Sequence, residues 1–316
     1  MGRRISSGKL VKKPQRILVI RGGALGDFVV SLPVLAALRG AYPKAHLGVL
    51  CHRAHGRLLE AANCVDEWRD LEARDWVGLF VDEPLRESGS NAWLSGFDLI
   101  VSFLHDATGV VHRHINQLSG GQLLIGCARP PNGACRPASE MMLEALEPLD
   151  LKHCDPVPQL QFDFENEGAK ILALHPGSGS ELKNWPEAKW EQLIGRLSEE
   201  GERLLLIGGE SEADRVGRLA DQFASENVRA MINRPLPEVA QTLAGCRGMV
   251  GHDSGVSHLS AALNVPCVLM WGATDEEVWR PAGNGVSILR GTNGISSIEV
   301  GAVWDEIKKC LPSIDS

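Results

Sequence analysis

The feature that most constrains the fold of this chain is the repeated alternation of short apolar runs with segments of helical periodicity. In the first half, apolar runs predict strands at 16–20, 46–51, 98–103 and 121–125. Helical spacing predicts helices at 27–39, 54–62 and 139–149. Short buried strands separated by helices are typical of βαβ units. We therefore predict an α/β protein with parallel sheets.

The alternation is interrupted once, near the middle of the chain. Asp155-Pro156-Val157-Pro158 predicts an extended segment, because each proline disfavours the helical conformation of the residue before it. The alternation then resumes, with strands predicted at 170–174, 203–207, 248–251 and 267–271 and helices at 186–197, 213–223, 237–244, 257–263 and 303–311. We predict two domains, residues 1–155 and 156–316. Because doubly wound sheets bind ligands at the carboxyl ends of their strands, we expect the active site in the cleft between the domains.

Charge and cysteine usage exclude several functional classes. The chain has 40 Asp and Glu against 32 Lys and Arg, a net charge of -8, which disfavours a nucleic-acid-binding protein. No apolar run approaches the roughly 18 residues that span a bilayer. The 8 cysteines are dispersed and form no C-x-x-C pair, as expected for thiols in a reducing compartment and not for a zinc site. We expect a cytoplasmic protein with no metal and no cofactor.

The amino-terminal segment has a local basic bias. No acidic residue precedes Asp27, and the basic residues of the first sixteen are Arg3, Arg4, Lys9, Lys12, Lys13 and Arg16. A frayed, solvated tail is one interpretation. Weak electrostatic contact with the anionic inner face of a membrane is the other.

The loop from Arg21 to Asp27 joins the first strand to the first helix, and its glycines allow the backbone to turn tightly near a ligand. A G-x-G-x-x-G dinucleotide fingerprint would need glycine at Arg21, and an acidic residue where the second strand ends in Cys51-His52. A nicotinamide-dependent oxidoreductase is therefore disfavoured. Asp27 itself has two interpretations: a helix N-cap, or a carboxylate that takes a proton from an acceptor hydroxyl.

Three polar loops follow strands of the second half. The loop 175–180 is rich in glycine and serine, which can surround phosphate oxygens, and Lys183 adds a positive charge. The loop 251–258 opens a helix whose unpaired N–H groups can bind an anion. The third loop, Gly208-Gly209-Glu210, either offers Glu210 to a ribose or simply begins a helix. Together the loops indicate a nucleotide diphosphate, although the 175–180 loop with Lys183, taken alone, is equally compatible with an ordinary surface loop.

Within the loop 251–258, Asp253 or Ser254 can cap the helix, and His258 lies one turn further on. A buried structural histidine is the alternative interpretation of His258. The chain contains no D-x-D pair of the kind that metal-dependent nucleotide-sugar enzymes use. We therefore expect Lys183 and helix N-termini to stabilise the leaving group.

Several segments resemble glycosyltransferase family 9, the lipopolysaccharide heptosyltransferase family. They are 17–27, 32–33, 35–38, 42–43, 175–178, 183–186, 253–263, 265–266 and 271–275. The resemblance spans nearly the whole chain. It implies a GT-B fold with two facing Rossmann-like domains, the acceptor on the first and the donor on the second. It also implies inverting, metal-independent transfer from a nucleotide sugar, typically ADP-heptose, to a lipopolysaccharide-core or related glycan or glycolipid.

The resemblance further implies roles for individual residues. Asp27 corresponds to the general base, and the donor-binding positions are Gly177, Ser178, Lys183, Glu210, Asp253, Ser254, Gly255 and His258. Residues 104–140 match nothing specific, so the acceptor stays open. Candidates for the acceptor side are Gly26, Arg53, Arg57 and Arg113, with solvated surface arginines as the alternative. The closing helix can pack on either domain.

Two other functions are compatible with these residues. One is a GT-B nucleotide-sugar epimerase or hydrolase-type enzyme, which would release a free sugar without an acceptor. The other is a non-catalytic protein that binds nucleotide sugars, although binding alone gives no reason for a base at Asp27.

Overall fold

The computed structural model describes residues 13–83, 89–151, 154–163 and 170–311. The basic residues Arg3, Arg4, Lys9 and Lys12 lie outside the described residues. The chain divides into two compact units, residues 1–156 and 157–316, next to the boundary predicted from the prolines. Each unit contains one parallel sheet with helices, which confirms the predicted α/β class with two Rossmann-like sheets. Within the described part of the chain, no helix is both long and apolar enough to cross a bilayer.

The first unit has a five-stranded sheet of order β3-β2-β1-β4-β5. Its strands are β1 Arg16–Arg21, β2 His46–Cys51, β3 Glu67–Asp70, β4 Leu99–Ser102 and β5 Gln122–Ile125. Its helices are α1 Leu25–Val29, α2 Leu32–Ala41, α3 Arg53–Ala61, α4 Val77–Phe80, α5 Gly89–Ser95, α6 Val110–Leu118 and α7 Ala138–Leu143. All neighbouring strands are parallel, so their carboxyl ends share one edge of the sheet. We refer to this edge as the first carboxyl edge.

Two predicted helices of this unit differ from the structure because of proline. The single helix predicted over 27–39 is two helices, α1 and α2, since the ring of Pro33 would clash with the carbonyl of Val29 in a continuous helix. The helix predicted over 139–149 is α-helical only in α7. It continues as a 3₁₀ helix over Glu144–Leu149, which contains Pro148.

The second unit has a six-stranded sheet of order β11-β10-β9-β6-β7-β8. Its strands are β6 Ile171–Leu174, β7 Arg203–Gly208, β8 Val228–Ile232, β9 Gly248–His252, β10 Cys267–Trp271 and β11 Val286–Arg290. Its helices are α8 Glu187–Glu199, α9 Ala213–Gln222, α10 Leu236–Ala244, α11 Gly255–Ala262, α12 Glu276–Trp279 and α13 Val300–Cys310. This sheet is also entirely parallel, and we refer to the edge formed by its strand ends as the second carboxyl edge.

The closing helix α13 belongs to the second unit. Its apolar residues Val303, Trp304 and Ile307 are buried in the core beside β6 and β10. Burying side chains of this size contributes about 1.5–3 kcal/mol each. From the sequence, this helix could have packed on the first domain. In the structure, its buried face lies in the core of the second unit.

Candidate functional site

Asp27 lies at the first carboxyl edge, in the first turn of α1. Its Oδ2 accepts a hydrogen bond from the backbone N–H of Ala24 at 3.2 Å, so the carboxylate does stabilise the start of the helix. The side chain is nevertheless 33% exposed. The N-cap of α1 is Ala24, and Asp27 is the third residue of the helix, so the N-cap interpretation of Asp27 is wrong although its carboxylate bonds back to the cap. That bond occupies one oxygen and leaves the side chain partly reachable from solvent, and the role of Asp27 as a base stays a prediction.

The loop before Asp27 depends on a glycine. Gly23 has a φ of +93°, a conformation that side chains with a Cβ rarely adopt, and a Cβ there would lie 3.1 Å from the Cβ of Asp27. Gly26 lies inside α1, and its carbonyl accepts the N–H of Val30 at 3.1 Å. Its assignment to the acceptor side stays a prediction.

A buried guanidinium lies directly behind Asp27. Arg21, the last residue of β1, donates from Nε and Nη2 to the carbonyl oxygen of Asp27, at 3.1 and 2.8 Å. Its Nη2 is 3.8 Å from Asp27 Oδ1. In the sequence, Arg21 indicated only that the loop is not a dinucleotide fingerprint. The available signal was a charged residue directly after the apolar run Ile17 to Ile20.

The candidate acceptor arginines of the first unit have different surroundings. Arg53 pairs with Asp70 at 3.1 Å, and Arg113 pairs with Asp82. Arg57 is exposed on α3. In each of these two ion pairs the arginine side chain is exposed, so the pair contributes little to the free energy of folding. An anionic ligand can therefore take the place of the carboxylate.

At the second carboxyl edge, Lys183 and Asp253 form an ion pair. The Nζ of Lys183 lies 2.7 Å from Oδ2 of Asp253, but the two groups are not oriented for a hydrogen bond. Lys183 is 35% exposed and Asp253 only 8%. Folding thus brings together two residues that the sequence predicts to bind the donor, although seventy positions separate them in the chain.

The two serines predicted to bind the donor are already engaged in shaping their loops. The hydroxyl of Ser178 lies 3.0 Å from the Ser180 carbonyl and 2.9 Å from Oδ1 of Asn184. Ser254 is the N-cap of α11 and accepts the N–H of Ser257 at 3.3 Å. The choice between Asp253 and Ser254 as the cap is therefore decided for Ser254. Gly255 is the first residue of the helix, and His258 is buried within it.

A buried histidine that was not predicted as a site residue connects these loops. His252, at the end of β9, accepts at Nε2 from the backbone N–H of Trp185 at 3.0 Å and the indole N–H of Trp190 at 3.3 Å. Its Nδ1 donates to the Gly177 carbonyl at 3.3 Å. Burial lowers the pKa of His252 to about 3, so the ring is neutral and has one donor and one acceptor nitrogen. It therefore fixes the position of Gly177 relative to the segment that follows Lys183.

The glycine turn after β7 places two glutamates differently. Glu210 begins a short 3₁₀ helix and is exposed, so its assignment to the donor stays a prediction. Glu212 is buried and accepts the Gly209 N–H at 3.0 Å. A Cβ on Gly177 would lie 2.4 Å from the Cγ of Glu212, so this packing requires glycine in the 175–180 loop.

Comparison with known proteins gives consistent matches. The sequence profile of glycosyltransferase family 9 (heptosyltransferase) matches residues 140–300. Lipopolysaccharide heptosyltransferase 1 of Pseudomonas aeruginosa is 38% identical over 298 residues, covering 82% of this chain and 79% of that protein. The enzyme of the same name from Escherichia coli O18:K1:H7 is 37% identical over 144 residues, which are 45% of this chain and less than half, 43%, of that protein.

Among solved structures, E. coli heptosyltransferase WaaC with ADP matches with a TM-score of 0.75 and 23% identity. The match covers 93% of this chain and 99% of WaaC, and it supports the predicted GT-B fold class. The sequence profile, the Pseudomonas relative and the shared fold lead to one conclusion: this chain belongs to glycosyltransferase family 9, the heptosyltransferases.

Proposed function

We propose that this protein is an inverting, metal-independent heptosyltransferase that transfers a heptose from ADP-heptose to a hydroxyl of a lipopolysaccharide-core or related glycan. Family membership and the names of its relatives support the sugar and the acceptor class. The fold shared with a heptosyltransferase that binds ADP supports the nucleotide. The observation that carries the proposal is that each carboxyl edge has a partly exposed charged group, the anion Asp27 at the first and the cation Lys183 at the second.

In the proposed reaction Asp27 takes the proton from the acceptor hydroxyl. The acceptor oxygen then attacks the anomeric carbon from the face opposite the diphosphate, and the bond from that carbon to the diphosphate oxygen breaks. The configuration inverts through a transition state with oxocarbenium character. A positioned base contributes about 10²–10⁴-fold to such a step.

Lys183 and the start of α11 are proposed to stabilise the departing ADP. Lys183 would exchange its contact with Asp253 for the diphosphate, whose larger negative charge attracts the ammonium more strongly. The first N–H groups of α11, beginning at Gly255, are directed outward from the helix and favour an anion. These groups supply the positive charge that a metal ion supplies in other glycosyltransferases.

The test is Asp27→Asn, assayed with ADP-heptose and an acceptor glycolipid that lacks the heptose. We expect kcat to fall by about 10²–10⁴-fold, because the amide cannot accept the proton, while ADP binds as in the unmodified enzyme. Asp98→Asn is the matched control. Asp98 accepts the backbone N–H groups of Gln15 and Arg16, at the opposite edge of the same sheet, and its variant should keep its kcat.

The same assay separates the alternatives. Normal kcat for Asp27→Asn would remove Asp27 from the mechanism. Release of free sugar without an acceptor would indicate a hydrolase or epimerase, and donor binding without turnover would indicate a non-catalytic protein. Retained anomeric configuration in the product, or loss of activity in EDTA, would contradict the inverting and metal-independent parts of the proposal.

We propose that the reaction takes place in the cytoplasm, where the nucleotide sugar is available. Contact of the basic amino-terminal segment with an anionic inner membrane is a separate proposal. Of that segment the structure describes Lys13 and Arg16, and Arg16 pairs with Glu67 at 2.9 Å. Sedimentation with vesicles containing anionic lipid, at low and high salt, tests this contact.

A further inference from the structure

Arg21 connects three loops at the first carboxyl edge. Besides its two bonds to the Asp27 carbonyl, it donates from Nη1 to the carbonyl of Ala128 at 2.7 Å and, more weakly, to that of Phe103 at 3.4 Å. Asp27 lies in the helix after β1, Phe103 follows β4, and Ala128 lies beyond β5. A single side chain thus holds the segments that follow three adjacent strands.

The charge of Arg21 is costly in this place. The side chain is only 3% exposed, and burial lowers the pKa of the guanidinium, an effect that the nearby Asp27 carboxylate opposes. A buried cation is tolerated when its N–H groups are bonded and a counter-charge is near. Here the bonded partners are neutral carbonyls, and the nearby carboxylate is that of Asp27, at 3.8 Å.

The geometry therefore couples Arg21 to Asp27 twice. The forked contact of Nε and Nη2 fixes the Asp27 peptide, and the positive charge attracts the Asp27 side chain. The planar fork of arginine suits such a contact, whereas the point charge of lysine cannot reproduce it. The contacts to Phe103 and Ala128 prevent the guanidinium from moving away with α1.

We propose that Arg21 is a positioning residue for the reaction: it holds the Asp27 carboxylate in the orientation in which it accepts the proton of the acceptor hydroxyl. This inference rests on the proposed role of Asp27 as the base. Arg21 itself touches no substrate, because it is buried. Its removal is expected to reduce kcat without changing the affinity for the nucleotide, whose proposed contacts lie in the other unit.

The experiment compares Arg21→Lys and Arg21→Met with the unmodified enzyme. We expect kcat to fall by about 100-fold in Arg21→Met, since a displacement of about 1 Å at a reacting group costs a factor of that order. Arg21→Lys keeps the charge but not the planar fork, so its kcat should fall less, by about 10-fold. The KM for the donor and the Kd for ADP should stay within about twofold in both.

Arg247→Lys is the matched control. Arg247 is also a buried arginine, paired with Glu202 at 2.6 Å, but it precedes β9 and so lies at the amino edge of the second sheet. Its variant should lower the melting temperature and leave kcat unchanged. This control separates positioning of the base from general destabilisation by the loss of a buried guanidinium.

Three outcomes would overturn the inference: normal kcat in folded Arg21→Met, an equal fall of kcat in Arg21→Lys and Arg247→Lys, or a loss of ADP affinity as large as the loss of kcat. If Arg21→Met does not fold, Arg21→Lys decides alone. An inactive Asp27→Asn beside fully active Arg21 variants would reject this inference and leave the proposed function intact. A fully active Asp27→Asn would reject the proposed function itself.

Discussion

The two carboxyl edges carry the same arrangement of charges with the signs exchanged. At the first edge the cation, Arg21, is 3% exposed and the anion, Asp27, 33% exposed. At the second edge the anion, Asp253, is 8% exposed and the cation, Lys183, 35%. Within each pair, one charge is partly open to solvent and the opposite charge is buried behind it. The exposed anion suits a base that receives a proton, and the exposed cation suits a diphosphate.

The two pairs also differ in how tightly they are held. Arg21 Nη2 is 3.8 Å from Asp27 Oδ1, whereas Lys183 Nζ is 2.7 Å from Asp253 Oδ2. Arg21 is fixed by main-chain carbonyls of three segments, so the first pair does not need to change during the reaction. Lys183 has to leave or share its partner to meet a phosphate. The comparison therefore predicts a rigid base and a movable cation.

The largest effect expected at the second edge comes from Lys183→Met. Loss of a charge-assisted contact costs about 1.5–3 kcal/mol, so the Kd for ADP should rise by about 10–150-fold in calorimetry. Lys189→Met is the control, because Lys189 lies in α8 of the same unit and pairs with Glu299 at 3.0 Å. Unchanged ADP binding by Lys183→Met would mean that the exposed cation does not serve the donor.

The next effect concerns two buried histidines at the second edge, His175 and His252. Burial lowers the pKa of His175 to about 4 and that of His252 to about 3, from 6.5. The unfolded chain therefore binds more protons between pH 6.5 and 4. The free energy of unfolding should fall as the pH drops through this range, by up to about 1.4 kcal/mol per pH unit for each histidine.

Denaturant unfolding at pH 7.5 and pH 5 measures this dependence. His55, at the first edge, also has a pKa lowered by burial to about 4 and adds to the slope. His252→Gln removes one titrating group and should make stability less dependent on pH in this range, although it lowers stability at pH 7.5. A slope unchanged by this variant would show that His252 is not buried as a neutral ring.

A smaller effect is expected from the acceptor-side arginines. Arg57 is exposed on α3 and makes no ion pair with any residue that the structure describes. If Arg57 contacts an anionic acceptor, Arg57→Ala should raise the KM for the acceptor by a few-fold. This corresponds to the loss of about 1 kcal/mol or less of binding free energy, as expected for an exposed ion pair. Arg234→Ala is the control, since Arg234 is an exposed arginine of the second unit that pairs with Glu238. Equal effects of the two variants would remove Arg57 from the acceptor side.

The smallest effect is expected from Asp253→Asn. The substitution removes the buried anion that pairs with Lys183 and leaves the cation for the diphosphate. ADP should bind at least as tightly as to the unmodified protein, in contrast to Lys183→Met. Tenfold weaker binding in calorimetry would show that Asp253 supports the donor directly, and the movable cation would then be the wrong description of this edge.

Much of the fold was predictable because local pattern and global structure agree. The central strands are continuous apolar runs, as in Ile17 to Ile20, which are all at most 1% exposed. The strands missed are outermost strands of the two sheets: β3 has the sequence Glu-Trp-Arg-Asp, and β8 and β11 have several partly or fully exposed residues. Edge strands need fewer apolar residues because one side faces solvent or a loop, so their sequences lack the signal.

The sequence predicted which loops carry the candidate site residues, but not which side chains contact one another there. Glycines and polar residues after apolar strands located Asp27, the 175–180 loop and the 251–258 loop. The assignment of Ser178 and Asp253 as separate donor contacts did not anticipate that Ser178 is bonded within its loop or that Asp253 holds Lys183. Such contacts join residues far apart in the chain, and residue spacing carries no information about them.

The sequence by itself determined the strand–helix alternation, the division near residue 156 and the loops that carry the polar groups. These follow from local periodicity and from the conformational limits of proline and glycine. Only the tertiary structure decided which charge of each pair is buried. Burial depends on which loops meet at a sheet edge, and that is fixed by the order of the strands in space rather than along the chain.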